Sequence, residues 1–318
     1  MPDLAKREKL QRAFYTGRFV LELENSDQDM VISVDGGNFK SEAVGEKVGA
    51  DHVETRYPGR AKWDDITLTI GTSMSPRFWS WIEKSIQNKP ERRSGAIITC
   101  DFDGNERVRR EFKDALISEI QFPALDAKAK NPAFITVKIS PETMEWSELP
   151  GNKKRNPPDA PTAGPSVKQK LWIPANFNFR MDGFPKENMR WVQKVDQFSI
   201  KQNIINNPIG KELYVRKEVG RIEYPNITFY LAEPYAKPWL DHWKEVVGNG
   251  NRQGSEHTGG IEYLSSDLRT VLMGINFQGM GLTGVTFDKH EAGNDGVRFV
   301  KVECYTETIT LDAKQGTV

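Results

Sequence analysis

The sequence predicts a mainly β protein built from two tandem β-barrel or β-sandwich domains, each with one short helix. Three observations lead there: a proline- and glycine-rich break near the middle, motifs repeated at constant spacing on either side of it, and short apolar runs punctuated by turn residues.

The break runs from Ser147 to Lys170, through Pro150-Gly151-Asn152-Lys153-Lys154-Arg155-Asn156-Pro157-Pro158 and Pro161-Thr162-Ala163-Gly164-Pro165. Proline removes backbone donors and this stretch offers almost nothing to bury, so it reads as an extended linker. It divides the 318 residues into a first domain at 1–146, a linker at 147–170 and a second domain at 171–318. Each half is long enough to bury its own core.

Across the break, Asp65-Ile66-Thr67 lines up with Asn226-Ile227-Thr228, a shift of 161 residues (65 to 226), each in an alternating run that suits a half-buried strand. Val34-Asp35 lines up with Val195-Asp196, and Lys40 with Lys201, in the same register. After each Ile-Thr strand comes an aromatic helix candidate: Ser75-Pro76-Arg77-Phe78-Trp79-Ser80-Trp81-Ile82, then Lys237-Pro238-Trp239-Leu240-Asp241-His242-Trp243. Early proline suits a helix start, and Phe78 with Ile82, or Trp239 with Trp243, share a face at i,i+4. Such a stripe is read as core packing that covers a sheet, not as a cofactor box.

The remaining elements are strands. In the first half they are Phe19 to Leu23, Val31 to Val34, Ile66 to Ile70, Ala96 to Phe102, Ala115 to Phe122 and Phe134 to Ile139, with turn chemistry at Asp35-Gly36-Gly37 and Asp103-Gly104. In the second they are Phe177 to Met181, Val192 to Ile200, Ile227 to Leu231, Ile261 to Leu264, Thr270 to Phe277 and Val297 to Tyr305. A long polar insertion precedes each Ile-Thr strand, Ser41 to Lys62 and Gln202 to Arg221. Unstructured loops of that length are uncommon in compact domains, so both are expected to be protruding hairpins or arms that order against a neighbour.

Charge narrows the function. Lys+Arg 44 balances Asp+Glu 44, so there is no field of one sign to gather nucleic acid or a membrane surface. The polar opening Met1-Pro2-Asp3-Leu4-Ala5-Lys6-Arg7-Glu8 lacks a signal-peptide core, and no window approaches the roughly 18 apolar residues of a membrane span. Folding in the bacterial cytoplasm is expected. Cys100 and Cys304 read as small core residues of a reducing compartment.

Gly17-Arg18-Phe19-Val20-Leu21-Glu22-Leu23, Trp63-Asp64-Asp65-Ile66-Thr67-Leu68-Thr69-Ile70-Gly71 and Phe78-Trp79-Ser80-Trp81-Ile82 together resemble the tube proteins of contractile phage tails and related extracellular injection particles. The likeness covers most of residues 17 to 142. The second half keeps the Ile-Thr strand and the tryptophan helix but has Asn176-Phe177-Asn178-Phe179-Arg180 in place of the Gly-Arg-Phe opening. The resemblance implies tail-tube-type domains whose sheet lines a central channel, whose helix lies outside, and whose long hairpin bridges to the next ring or subunit. Family subunits usually carry one such domain and form six-membered rings, whereas this chain carries two. Either three chains close a pseudo-sixfold ring, as in hub proteins at a tube end, or six chains contribute two stacked layers. The divergence between halves favours a trimeric adaptor, hub or tube-initiating ring.

No catalytic, cofactor-binding or metal-binding residue is nominated. Gly279-Met280-Gly281-Leu282-Thr283-Gly284 has dinucleotide-type glycine spacing, but Val285-Thr286-Phe287-Asp288 reads as a strand where that chemistry needs a helix N-terminus. Asp101, Asp103 and Asn105 share part of a calcium-loop spacing, yet Gly104 is misplaced and a hairpin turn accounts for them better. His52, His242, His257 and His290 are isolated in sequence and expected in loops or at the surface. Asn226-Ile227-Thr228 reads as strand rather than glycosylation acceptor, and Glu106-Arg107-Val108-Arg109-Arg110-Glu111-Phe112-Lys113 as a solvated connection between strands.

The expectation is therefore a structural, non-enzymatic, ring-forming component of a phage tail or contractile injection particle. It would form part of the inner tube or of a baseplate hub or adaptor at a tube end, and end up in the virion or injection particle. Its partners would be itself and neighbouring tube, sheath or baseplate proteins, with DNA or protein cargo passing through the lumen. The alternative is a non-viral two-domain β binding module, for example carbohydrate-binding through Trp172, Trp191, Trp239 and Trp243. For ring assembly, the subunit-interface candidates are Val53, Glu54, Arg56 and Tyr57 on the first arm and Leu213, Tyr214, Arg216 and Val219 on the second.

Overall fold

The computed structural model describes residues 16–24, 27–46, 54–148, 172–208, 210, 214–251, 255–289 and 297–312, so the proline-rich stretch beyond 148 lies outside the described residues. In chain order the first half contains β1 (Arg18–Leu23), β2 (Asp27–Val31), β3 (Ser33–Gly36), β4 (Phe39–Glu46), β5 (Thr55–Trp63), β6 (Ile66–Ile70), α1 (Pro76–Ile86), β7 (Arg93–Cys100), β8 (Glu106–Phe122), β9 (Leu125–Asp126), β10 (Ile135–Ser140) and β11 (Thr143–Glu148). The second contains β12 (Phe177–Met181), α2 (Lys186–Met189), β13 (Val192–Val195), β14 (Phe198–Asn207), β15 (Arg216–Glu223), β16 (Ile227–Ala232), α3 (Lys237–Trp243), β17 (His257–Leu264), β18 (Val271–Phe287), β19 (Phe299–Tyr305) and β20 (Thr308–Asp312). A short 3-10 turn at Glu233–Tyr235 precedes α3, and a π turn at Lys244–Gly248 extends it. The fold is mainly β, as the sequence predicts, with somewhat more helix in the second half than the single one expected.

Local chemistry explains the elements. In β6, Ile66, Leu68 and Ile70 point into the core while Thr67 and Thr69 face outward, the period-two pattern of a half-buried strand. Helix α1 starts at Ser75, whose Oγ accepts from the Phe78 amide at 3.3 Å and donates to Asp29 Oδ2 at 2.7 Å. Pro76 fills the first turn, and Phe78, Trp79, Trp81 and Ile82 are all buried, a wider apolar face than the Phe78–Ile82 stripe alone.

Two long strands organise the two halves in the same way. The first part of β8 lies between β7 and β11, and its last part lies beside β10. The first part of β18 likewise lies between β17 and β20, and its last part beside β19. Each long strand passes from one sheet to the other at a bulge. In β8 the extra residue is Ser118, between Ile117 opposite Ile139 and Glu119 opposite Lys138. In β18 it is Thr283, between Leu282 opposite Cys304 and Gly284 opposite Glu303. The bulge hydroxyls do the same job: Ser118 Oγ reaches the Lys138 carbonyl at 3.4 Å and Thr283 Oγ1 the Glu303 carbonyl at 2.9 Å. Ile66 sits opposite Ile139 as Ile227 sits opposite Cys304. The three-dimensional pairings thus match the repeat read from the sequence.

The strand boundaries carry three corrections. Val31 to Val34 and Val192 to Ile200, each expected as one strand, are each two strands, because the chain leaves one sheet and enters another at Ile32 and at Asp196-Gln197. Thr270 to Phe277 is only the first half of β18. The charged run Glu106 to Lys113 is not a solvated connection but the first part of β8. Its guanidinium groups are satisfied by ion pairs, Arg109 with Glu22 of β1 at 2.8 Å and with Glu111 of its own strand at 2.7 Å, and Arg107 with Asp101 of the preceding turn at 2.8 Å. Ion pairing, within the strand, to the turn and across to β1, replaces the apolar alternation that would have announced a strand.

Candidate assembly interface

Residues of both halves share one buried cluster, running from Leu21 to Leu311, and the contact between halves is a sheet junction. β14 adds antiparallel to the outer edge of β8, placing Phe198 opposite Phe122, Ser199 opposite Gln121, Ile200 opposite Ile120 and Lys201 opposite Glu119. Phe198 stacks on Phe122 with ring centroids 5.1 Å apart, and Ile200 is 2% exposed. A second ladder joins β9 to β13, with Leu125 opposite Val195. Helix α1 of the first half packs against β20 of the second, and Tyr224 Oη donates to the Ile86 carbonyl at 2.8 Å.

Charges at this junction are matched. Glu119 pairs with Lys138 at 2.5 Å. Burial opposes its ionisation but is outweighed by hydrogen bonds from Lys138 and Ser199, which hold the carboxyl below its ordinary value. Lys217, on β15, is buried over the first half, where its Nζ donates to Ser140 Oγ at 2.9 Å and the Trp63 carbonyl at 3.3 Å. Burial pushes its pKa down, against the attraction of Asp65, Asp64 and Glu142. Arg92 braces the same point, donating to the Lys217 carbonyl and pairing with Glu142 at 2.7 Å.

Both long insertions are hairpins, β4–β5 and β14–β15, and they flank a polar cleft of about 1080 Å³ lined by Lys62, Asp65, Glu119, Lys138 and Lys217 among others. Their surroundings differ. The second is docked on β8, whereas every residue of β4 is exposed and Phe39 is 79% exposed. Among the described residues the first arm touches the second near its own base, through an Ala61–Tyr214 bridge, Arg60 donating to the Gly210 carbonyl at 3.2 Å and Lys217 donating to the Trp63 carbonyl.

Of the interface candidates, Val53 and Leu213 lie outside the described residues. Glu54 pairs with Arg56 at 3.2 Å, and Tyr57 lies exposed on β5. Tyr214 is in the bridge to Ala61, Arg216 is exposed at the start of β15, and Val219 is half-buried opposite Ile204. The described candidates lie on two hairpins, one docked on β8 and one with its β4 strand exposed. Sequence reasoning missed Phe198, Ile200 and Lys217, the groups that dock the second arm. The Lys40–Lys201 anchor of the repeat was the available signal, since it marks where each arm leaves the sheet.

Other expectations change. His242 and His257, far from being isolated, meet with Nε2 atoms 3.2 Å apart beside Phe184. Burial lowers the pKa of both, and His257 lowers that of His242 further. His52 and His290 lie outside the described residues. Trp239 is fully buried and stacks on Phe184 at 3.9 Å, but Trp243, expected beside it in the core, is 36% exposed with its Nε1 directed at the Thr283 carbonyl. Trp172 is buried, and Trp191 is exposed but stacks on Tyr235. The glycines at 279, 281 and 284 lie inside β18, and Asp101 closes a hairpin turn by accepting from the Asn105 amide at 2.8 Å. Among the described residues no group of three or more His, Cys, Asp or Glu is placed to hold a metal, and no helix is long and apolar enough to cross a membrane. Cys100 and Cys304 are both fully buried, as small core residues are.

Comparison with known proteins gives one family match: residues 15–145 fit the model of the T4-like virus tail tube protein gp19. No curated protein matches. Among solved structures, a chain of the PVC extracellular contractile injection system sheath-tube complex in its extended state is similar at 17% identity and TM-score 0.39, over 44% of this chain and 95% of that one. A chain of the anti-feeding prophage tube-terminating cap gives 16% and 0.37, over 43% and 88%. An Hcp1 protein from an E. coli pathovar gives 14% and 0.24, over 38% and 76%. The family match covers residues 15–145, so it is the first half of the chain that is similar to the T4-like virus tail tube protein.

Proposed function

We propose that this protein is a ring-forming, non-enzymatic component of a contractile tail or injection particle, in which three chains close a pseudo-sixfold ring at a tube end. One observation carries the reading. The two repeats are joined edge to edge through β8 and β14, so they stand side by side in one sheet direction, as consecutive members of a ring would. Side-by-side joining supports the trimeric ring over six chains in two stacked layers. The divergence of the second repeat supports a hub, adaptor or initiating ring rather than the uniform tube. The ring surrounds a channel for DNA or protein cargo, and its neighbours are tube, sheath or baseplate proteins of the same particle.

Multi-angle light scattering on the full chain at increasing concentration tests the reading. A species of three 36.1 kDa chains supports it. A hexamer favours the stacked arrangement, and a chain that stays monomeric at every concentration contradicts both.

A further inference from the structure

The junction between the two halves is directional. The first half offers the outer edge of β8 and helix α1, and the second half receives them with β14 and β20. Both sets of elements recur in the other half. The second half carries its own edge on β18 and its own helix α3, and the first half carries its own arm strand β4 and its own β11. Within the described residues the last part of β18 pairs only with β19, and β4 pairs only with β5. One junction is made inside the chain, and the parts of a second are left over.

Several large apolar side chains reach the surface on the leftover parts. On the donating side, Phe287 ends β18 at 41% exposed, and Trp243 and Val247 are exposed on the helix. On the receiving side, Phe39 is 79% exposed at the start of β4 and Trp146 is 58% exposed on β11. Their equivalents inside the chain are covered. Phe39 occupies the place of Ile200 (shift 161), which is 2% exposed, and Trp146 the place of Leu311, since both face the matching residue of the long strand. Of the exposed aromatics among the described residues, Phe39, Trp146, Trp243 and Phe287 lie on the two faces that the internal junction buries, while Tyr57, Phe102 and Trp191 lie elsewhere.

Resting on the ring reading, we infer that a second copy of this chain docks on these faces, its β4 adding antiparallel to the outer edge of β18 and its β11 packing beneath α3. The internal register transfers directly. Ser199 opposite Gln121 becomes Asn38 of one copy opposite Thr286 of the next, and Ile200 opposite Ile120 becomes Phe39 opposite Val285. The contact is head-to-tail, so it either closes into a ring or continues as a filament. An occupied edge also removes the exposed backbone donors and acceptors that otherwise invite indiscriminate pairing.

Disulfide trapping tests the register. Asn38 and Thr286 are both exposed, so an Asn38→Cys/Thr286→Cys double variant should fold, and under oxidation it should give chains linked into dimers and trimers on a non-reducing gel. Each single variant should give no such ladder. Asn38→Cys/Phe287→Cys, displaced by one residue to the opposite face, should link far less. If scattering shows assembly while the matched pair stays unlinked, this docking mode is wrong and the ring reading stands. If the chain neither assembles nor links, the ring reading fails and this inference with it. A Phe39→Asp variant gives the independent arm: it should keep the melting temperature of the monomer and lose assembly, and unchanged assembly would overturn the proposal.

Discussion

The two arms occupy the same place in the two repeats but have different surroundings. β14–β15 lies on the edge of β8 with Ile200 buried, while β4–β5 has Phe39 at the equivalent position in solvent. Because the two hairpins are built alike, the difference lies in what stands next to them. In the proposed ring, the tandem chain makes one junction for itself and leaves one to be made with another molecule.

That comparison can be broken or sharpened at equivalent positions. The largest effect is expected at the docked arm. Ile200→Asp places an unpaired carboxylate in a buried apolar site and should destabilise the fold by ~4 kcal/mol in urea unfolding, whereas Phe39→Asp should change it by no more than ~0.5 kcal/mol. Equal effects would mean the arms are not in different states. Next come the helix anchors Phe78 and Trp239, both fully buried at matching positions. Truncation of either to alanine should cost roughly 3–4 kcal/mol, and Trp243→Ala, on the exposed side of α3, only about 1 kcal/mol. The bulge hydroxyls are worth less. Ser118→Ala, which also breaks a 2.7 Å bond to Asp65, should cost ~1–2 kcal/mol and Thr283→Val about 1 kcal/mol.

The smallest effect is confined to acidic pH and to the second half, because His242 stands where the first repeat has Trp81. Folding holds both imidazoles of the His242–His257 pair below the ordinary value of 6.5, by burial first and, for His242, by the neighbouring ring. Phe184 packs against both rings, and the Asp182 carbonyl and carboxylate favour the charged form of His257 without outweighing burial. The unfolded chain therefore takes up protons more readily. This contribution is complete above about pH 6.5 and lost as pH falls through the lowered values. His242→Gln should flatten the decline of thermal stability as pH falls below about 6.5, and an unchanged slope would show that the pair does not titrate.

Much of the fold was legible in the sequence because the repeat leaves physical marks. Ile66-Thr67-Leu68-Thr69-Ile70 alternates as a strand must, and Phe78 and Ile82 announce a covered helix face. The first part of β8 was illegible because Arg109 and Arg110 are satisfied by partners distant in sequence, Glu22 and the Gly36 carbonyl. The interface was half legible. Both arms follow from the length and polarity of the insertions, but nothing local in Gln202 to Arg221 says that its hairpin is docked, since docking depends on the edge of β8 some 80 residues earlier (122 to 202). The histidine pair was hidden for the same reason, its two rings being brought together by a helix and a strand.

In the proposed assembly one chain is two consecutive members of a six-domain ring. Electron microscopy of the purified assembly, classified without imposed symmetry, tests this most directly. Rings with six similar lobes and true threefold symmetry, alternating between two kinds of lobe, are the predicted result. Rings of six chains with the two repeats in separate layers, or particles with no closed ring, would contradict it.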